Sequence, residues 1–145
     1  MKVKHIDHIG IVVNEFDEAK AFFEDFGFVT EAEQDIAISL LDKVMGMEGC
    51  KSHVAFMVSP GGQIKLELTK FIRPENITLN EPNQMNTVGI EHIAMMVEDL
   101  DGIVQSVKDK GYEFITDIEN HEDIMKVCYF RGPGGIILEL AEQLS

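Results

Sequence analysis

Cysteine and basic residues are both scarce in this chain. The 145 residues include two cysteines, Cys50 and Cys128, which fit neither a disulfide framework nor a Cys-x-x-Cys metal site, so both are expected to be free thiols. Only 12 lysines and arginines stand against 26 aspartates and glutamates, for a formal net charge of −14. A surface this acidic repels phosphate backbones, and nucleic acid is therefore not expected as a partner.

Long apolar runs are missing as well. No segment approaches the ~20 apolar residues of a membrane-spanning helix, so no membrane partner is expected. The N-terminal residues lack the apolar stretch of a secretory signal, which makes the cytoplasm the expected location. Neither a glycine-rich phosphate loop nor a nucleophile elbow is present. The length and the hydrophobic content of 45% fit one soluble globular domain spanning residues 1–145.

The most informative pattern is an internal repeat. Residues 7–28 return 84 positions later, which places His8 on His92 (92 − 8 = 84). The ends of the two halves also match, each with a glutamate shortly after a Pro-Gly-Gly turn, and there Glu67 falls on Glu139 (139 − 67 = 72). A duplicated sequence predicts two structural units of the same architecture.

Each half predicts the element order β-α-β-β-β, which gives an α+β fold of two tandem modules. Asp17 and Asp101 are the expected N-caps of the two helices, and Gly27 and Gly111 are expected to end them. Alternating apolar residues predict the following strands: His5–Val13, Phe28–Glu33, Ser52–Ser59, Gln63–Lys70, Glu91–Glu98, Tyr112–Ile115, Met125–Arg131 and Ile136–Ala141.

The two halves differ in length by 12 residues (84 − 72 = 12). The extra residues are expected within Gln34–Gly49, where Ser39–Met45 is predicted to form a short helix that Gly46 ends. Residues 71–88 contain two prolines and several asparagines, a composition typical of linkers. The predicted repeats therefore span about residues 1–70 and 89–145.

Strand alternation places the two repeated histidines on defined faces. His8 shares a face with Gly10 and Val12, and His92 shares the equivalent face with Ala94 and Met96. A lone histidine in an apolar strand is more often a hydrogen-bonded core residue, and a lone strand glutamate is usually solvated. The duplication favours a metal site instead, because equivalent residues meet near a pseudo-twofold axis.

We therefore expect the two modules to form a cupped mixed sheet around a metal-centred pocket. Its ligands would be two imidazoles, His8 and His92, and two carboxylates, Glu67 and Glu139. Such a set suits a divalent first-row ion with one or two open positions. His53 shares a strand face with Ala55 and Met57, so it either lines the pocket or belongs to the core.

The motifs His8-Ile-Gly-Ile-Val-Val, Gly89-Ile-Glu-His92-Ile-Ala and Gly134-Gly-Ile-Ile-Leu-Glu139-Leu carry a family resemblance. With the double β-α-β-β-β pattern, the chain resembles the vicinal oxygen chelate superfamily over nearly its whole length. That superfamily includes glyoxalase I, methylmalonyl-CoA epimerase, extradiol dioxygenases, and the fosfomycin and bleomycin resistance proteins.

The resemblance implies that His8, Glu67, His92 and Glu139 bind a divalent ion, which is nickel, cobalt, zinc, manganese or iron. The order His-Glu-His-Glu is similar to that of bacterial glyoxalases, whereas the epimerases usually have glutamine as the second ligand. The dioxygenases use two histidines and one glutamate. The resemblance also implies a homodimer.

The implied reaction is proton transfer next to a carbonyl, with Glu139 as the base. Isomerisation of a hemithioacetal, the adduct of a 2-oxoaldehyde and a thiol, is the expected chemistry. Epimerisation of an acyl thioester of the methylmalonyl-CoA type is the alternative, with Glu48 as a second acid–base. A protein that sequesters a ligand without turnover, as in drug resistance, is an alternative of another class.

Overall fold

The computed structural model describes all residues from 1 to 145. The chain divides into two compact units, residues 1–78 and residues 79–145, called here the N-terminal and C-terminal modules. Each module contains one four-stranded mixed sheet, and each follows the predicted β-α-β-β-β order. The α+β fold and the duplication of its modules are confirmed.

The N-terminal module contains these elements: β1 (Ile9–Val12), α1 (Phe16–Asp25), β2 (Val29–Ile36), α2 (Ser39–Met45), β3 (Lys51–Val58) and β4 (Lys65–Arg73). Its sheet has the order β1-β4-β3-β2, and β1 runs parallel to β4 while the other pairs are antiparallel. Helix α2 has its predicted bounds and ends at Gly46, which adopts a left-handed conformation that glycine tolerates without steric cost.

One face of this sheet is packed and the other carries polar residues. Helix α1 packs against β4, and the helix residues Phe22 and Phe23 are buried, as are Leu66 and Leu68 of β4. Because strand residues alternate between faces, Glu67 lies on the side away from α1. The apolar side of β4 therefore holds the module together and leaves Glu67 on the opposite face.

The C-terminal module repeats this arrangement with these elements: β5 (His92–Met96), α3 (Leu100–Asp109), β6 (Glu119–His121), β7 (Met125–Arg131), a 3-10 turn (Pro133–Gly135) and β8 (Ile137–Gln143). The sheet order is β5-β8-β7-β6. Helix α3 packs against β8, where Leu138 and Leu140 are fully buried. Glu139 lies between them and hence on the opposite face.

The predicted strand Tyr112–Ile115 is wrong. Phe114 forms an isolated bridge with Phe130, flanked by backbone hydrogen bonds from Arg131 N–H to Glu113 O and from Ile115 N–H to Tyr129 O. The outer strand of this sheet is β6, which pairs with β7. The Thr116 hydroxyl accepts the Tyr129 N–H at 3.0 Å. Backbone pairing of this segment with β7 is thus short, because the Tyr129 N–H donates to the Thr116 side chain and not to a backbone carbonyl.

Both predicted N-caps are wrong by two residues. Helix α3 is capped by Asp99, whose carboxylate accepts the Gly102 N–H at 3.2 Å, and helix α1 is preceded by Glu15 without a side-chain cap. Asp17 and Asp101 lie in the first turns, where negative charge interacts favourably with the helix dipole.

Three smaller predictions can also be compared with the structure. Cys50 and Cys128 are free, as predicted, and both are buried. Strand β4 continues to Arg73, beyond the predicted start of the linker at residue 71. None of the helices combines the length and the apolar character that crossing a membrane requires.

Candidate metal centre

The N-terminal module brings His8 and Glu67 together. Gly10 of β1 lies opposite Glu67 of the parallel strand β4. His8 lies directly before β1, which begins at Ile9 and not at the predicted His5. Nε2 of His8 is 3.0 Å from Oε2 of Glu67. A Cβ added at Gly10 would meet no atom within 4 Å, so the space beside this pair is open.

The C-terminal module repeats the pair with His92 and Glu139. Ala94 lies opposite Glu139 in the parallel pairing of β5 and β8, and His92 projects from the same face. Nε2 of His92 is 3.1 Å from Oε2 of Glu139. The predicted equivalence of the two pairs thus extends to the atoms that face one another.

An acidic residue directly before each histidine contacts the other ring nitrogen. Oδ2 of Asp7 is 2.7 Å from Nδ1 of His8, and a carboxylate oxygen of Glu91 contacts Nδ1 of His92. The hydrogen bond to His8 is the main cause that lowers the pKa of Asp7. A carboxylate on Nδ1 favours the tautomer protonated at that atom, which leaves Nε2 with a lone pair.

The donor chemistry of each pair fits a cation. A lone pair on Nε2 and a carboxylate oxygen both accept hydrogen bonds, so at 3.0–3.1 Å they repel unless a proton or a metal ion lies between them. Oε1 of Glu91 is buried without a hydrogen-bond partner, which adds uncompensated negative charge beside His92. The structure contains no group of three or more His, Cys, Asp or Glu side chains that could hold a metal ion. Each module therefore supplies two ligand-type side chains.

An aromatic ring packs beside each histidine. Phe56 of β3 lies opposite Glu67 and meets the His8 ring edge-to-face at 5.7 Å. Tyr129 of β7 lies opposite Glu139 and meets the His92 ring in the same way at 5.5 Å. These packed rings limit the orientations that the imidazoles can adopt.

Only the second aromatic residue carries a hydroxyl group. The Tyr129 hydroxyl donates a hydrogen bond of 2.8 Å to Oε2 of Glu139. That bond is the largest of the causes that raise the pKa of Tyr129 to about 12, so the phenol stays protonated and remains a donor at neutral pH. In the first module Thr69 donates to Oε1 of Glu67 over a longer distance, 3.3 Å.

The candidate ligands are partly accessible to solvent. The side chains are 38% exposed at His8, 22% at Glu67, 33% at His92 and 19% at Glu139. Val12 and Met96, which share the strand faces of the two histidines, are also exposed. A small molecule can therefore reach each pair from the face that the helices leave uncovered.

Two other predicted site residues lie elsewhere. His53 shares a face with Ala55 and Met57 as expected, but that face packs against α1, where Phe16 meets the His53 ring at 4.5 Å. The idea that His53 lines the pocket is thus not supported, because the alternation that turns Phe56 toward Glu67 turns His53 away. Glu48 is exposed in the bend between α2 and β3, and its catalytic role stays a prediction.

Sequence reasoning missed Asp7, Glu91 and Tyr129 as members of the site. Asp7 and Glu91 are themselves related by the repeat (91 − 7 = 84), so an acidic residue before both histidines was a usable signal. Tyr129 had no such signal, because Phe56 takes its position in the first module and lacks the hydroxyl.

The chain is similar in sequence and in fold to known proteins. Residues 7–129 match the family model described as Glyoxalase/Bleomycin resistance protein/Dioxygenase superfamily. A glyoxalase family protein from Bacillus cereus has 30% sequence identity, and the alignment covers 100% of this chain and 97% of that chain with a TM-score of 0.93. The uncharacterized protein YaeR of Escherichia coli (strain K12) is 25% identical over 142 residues, which cover 97% of this chain and 98% of that protein.

A more distant structure shares the fold. The fosfomycin resistance protein FosX from Listeria monocytogenes, solved with Mn(II) and sulfate, has 16% identity and a TM-score of 0.62, with 97% of this chain and 93% of that chain covered. At this identity the likeness concerns the fold alone.

Proposed function

This chain belongs to the glyoxalase/bleomycin resistance protein/dioxygenase superfamily, and we propose that it is a divalent-metal-dependent lyase or isomerase of the glyoxalase type. The observation that carries the proposal is the duplicated His–Glu pair, in which each histidine is also held at Nδ1 by the preceding acidic residue. Metal-binding histidines commonly donate their second ring N–H to a carboxylate in this way.

In this proposal His8, Glu67, His92 and Glu139 together hold one divalent ion. Each module supplies one imidazole nitrogen and one carboxylate, and two such contributions make a set of two nitrogens and two oxygens. This set is compatible with nickel, cobalt, zinc, manganese or iron, and it leaves coordination positions for substrate oxygens. The proposal requires that both modules share one ion.

The proposed reaction is the isomerisation of a hemithioacetal formed from a 2-oxoaldehyde and a thiol. The bound ion supplies positive charge that makes a carbon-bound proton next to a carbonyl more acidic. Glu139 takes this proton from the thiol-bearing carbon and returns a proton to the neighbouring carbon. The hydroxyl proton moves to the former carbonyl oxygen, so the hydroxyl oxygen becomes the thioester carbonyl and the former carbonyl becomes the new hydroxyl. Substrate and product are isomers, so no oxidant or co-reactant is consumed.

The surroundings of the two pairs suit a small substrate with an apolar part. Val12 is 51% exposed and Met96 is 66% exposed, and each lies on the strand face of its histidine. Burial of apolar substrate surface against such residues contributes about 25 cal/mol per Å². The carbonyl and hydroxyl oxygens would face the ligand set, and the apolar substituent would contact these side chains.

The test is metal analysis of the purified protein, followed by a solvent-deuterium exchange screen over 2-oxoaldehyde–thiol adducts and acyl-CoA esters. We expect bound metal and exchange into the adducts, both of which a chelator abolishes. Exchange into acyl-CoA esters alone would indicate an epimerase instead. Ligand binding that persists with chelator present, without any exchange, would indicate a sequestering protein and contradict the enzyme proposal.

We also propose that the chain forms a homodimer. Each sheet has two outer strands with a single neighbour in their own sheet, β1 and β2 in one module and β5 and β6 in the other. Exposed strand edges favour pairing with another chain. Light scattering should then give twice the 16.3 kDa mass of one chain, and a mass of 16.3 kDa at working concentration would contradict the proposal.

A further inference from the structure

The two glutamates of the candidate centre differ in the oxygen atom that a hydroxyl group engages. In the C-terminal module the Tyr129 hydroxyl and Nε2 of His92 both contact Oε2 of Glu139, at 2.8 and 3.1 Å. Oε1 of Glu139 takes part in neither contact. One oxygen of this carboxylate is therefore held while the other is left for a different partner.

In the N-terminal module the contacts are divided between both oxygens. Nε2 of His8 is 3.0 Å from Oε2 of Glu67, and the Thr69 hydroxyl donates to Oε1 at 3.3 Å. The residue equivalent to Thr69 in the C-terminal module is Ala141 (141 − 69 = 72), which has no hydroxyl. In the N-terminal module the hydroxyl group thus comes from the strand that carries the glutamate, β4. In the C-terminal module it comes from the neighbouring strand, β7.

We propose that Tyr129 is a positioning residue that holds Glu139 through Oε2 and so presents Oε1 to the proton of the substrate. This inference rests on the proposed function. It gives a reason why Glu139 rather than Glu67 takes the proton. Both oxygens of Glu67 are engaged, so Glu67 remains a ligand. A base fixed in one orientation reacts faster than a mobile one because less conformational freedom is lost in the transition state.

The structure also supplies a conservative substitution for Tyr129. Phe56 occupies the equivalent register, opposite Glu67, and packs against His8 as Tyr129 packs against His92. A phenylalanine therefore fits beside a His–Glu pair of this geometry. Tyr129→Phe removes the hydroxyl and keeps the ring that orients the imidazole.

The kinetic test compares wild type with Tyr129→Phe in the metal-loaded protein, using a 2-oxoaldehyde–thiol adduct as substrate. We expect kcat to fall about 10- to 100-fold, the range that loss of positioning produces, with KM and metal content per chain within about twofold. Tyr112→Phe, which removes the other tyrosine hydroxyl of the chain, should leave kcat unchanged. An unchanged kcat in Tyr129→Phe, or a loss that merely follows lost metal, would overturn the positioning role.

A second readout needs no metal and no turnover. In crystal structures of the metal-free proteins, Glu139 should have one conformer in wild type and an altered or divided conformer in Tyr129→Phe, while Glu67 is unchanged in both. If Glu139 keeps its wild-type conformer without the hydroxyl, the inference is wrong even for an active enzyme. If the conformer changes but wild type binds no metal and catalyses no exchange, the positioning contact holds and the proposed function fails.

Discussion

At the scale of single residues, each histidine of the candidate centre has a carboxylate on both ring nitrogens. This arrangement has two chemical solutions. The ring is either an imidazolium between two carboxylates, or a neutral imidazole whose Nε2 faces a cation. The second solution couples metal binding to Asp7 and Glu91, which contact only the ring nitrogen that would not touch the metal.

The substitution Glu91→Ala tests this coupling. Without the carboxylate on Nδ1, His92 is no longer held in the tautomer that exposes a lone pair at Nε2, so metal affinity should fall about 10- to 100-fold. Isothermal titration calorimetry with a divalent metal measures the change in affinity. Asp7→Ala should likewise lower metal affinity, because it removes the carboxylate on Nδ1 of His8. Unchanged affinity in both variants would contradict a role for these carboxylates in metal binding.

The substitution Glu139→Gln separates binding from chemistry. An amide oxygen still ligates a metal but takes up no proton, so we expect part of the metal to remain while turnover falls by at least about 100-fold, the lower range for loss of a general base. Metal analysis and solvent-deuterium exchange on the same preparation provide the two measurements. A variant with unimpaired exchange would show that Glu139 is not the base.

At the scale of elements, α1, β2 and β3 are joined by a cluster of charged side chains. Nζ of Lys20 is 2.7 Å from Oε2 of Glu33, whose other oxygen is 2.9 Å from Nε2 of His53. Asp35 approaches Nδ1 of His53 at 2.5 Å. The hydrogen bonds to Asp35 and Glu33 raise the pKa of His53, and those from Lys20 and His53 lower the pKa of Glu33.

This cluster predicts that stability depends on pH, with a contribution from His53 that is lost at high pH and one from Glu33 that is lost at low pH. The contribution of His53, whose pKa is raised, is complete below its ordinary value of 6.5 and is lost as the pH rises through the folded-state pKa. The contribution of Glu33, whose pKa is lowered, is complete above its ordinary value of 4.5 and is lost as the pH falls through the folded-state pKa. Both contributions are therefore complete between pH 4.5 and 6.5.

Urea unfolding of wild type and His53→Gln, from within this range to pH values well above 6.5, provides the measurement. Above pH 6.5 the free energy of unfolding should decline in wild type, and the decline should be smaller in His53→Gln, because glutamine does not titrate. The effect should be small, since the cluster is partly exposed to solvent. Identical slopes in the two proteins would exclude a contribution from His53.

The N-terminus of α3 provides a second prediction at this scale. Asp99 caps the helix in a left-handed conformation with φ 59°, which asparagine tolerates better than alanine. Asp99→Ala should therefore lower the free energy of unfolding by about 1–2 kcal/mol, and Asp99→Asn should lower it much less. Asp101→Ala, which removes a surface partner of Lys126, should cost less than Asp99→Ala. Equal losses in Asp99→Ala and Asp101→Ala would contradict the assigned cap.

The elements that were predictable from sequence are those with local signals. Helix α2 ends at the left-handed Gly46, and β7 has its predicted bounds Met125–Arg131. The segment Tyr112–Ile115 was wrongly predicted to be a strand. Its structure depends on a hydrogen bond between the Tyr129 N–H and the Thr116 hydroxyl, which the residue pattern does not indicate. The helix caps were misplaced because Asp99 and Asp101 are equally suitable residues, and only the backbone geometry distinguishes them.

The residues of the candidate site were also predictable only in part from the sequence. The equivalence of His8 with His92 and of Glu67 with Glu139 followed from the duplication, and the convergence of all four on one ion stays a prediction. The contact of Tyr129 with Glu139 depends on the register between β7 and β8, which alternation alone does not determine. Residue type and periodicity thus predicted the ligand-type side chains, and the repeat carried a signal for Asp7 and Glu91, whereas the Tyr129 contact required the three-dimensional structure.

At the scale of the whole molecule, the proposed function requires that each module supplies half of one donor set. The structure groups no three ligand-type side chains, and each module repeats the same His–Glu pair. If one ion requires both contributions, damage to either module should empty the site. If each pair acted alone, damage to one module would leave the other unaffected.

Metal content per chain in wild type, His8→Ala and His92→Ala tests this claim most directly. We expect about one divalent ion per chain in wild type and a large loss in both variants, with circular dichroism unchanged so that misfolding is excluded. Turnover should fall in parallel with metal content. Full metal content in either folded variant would contradict a single centre built from both modules, and the proposed function would fail with it.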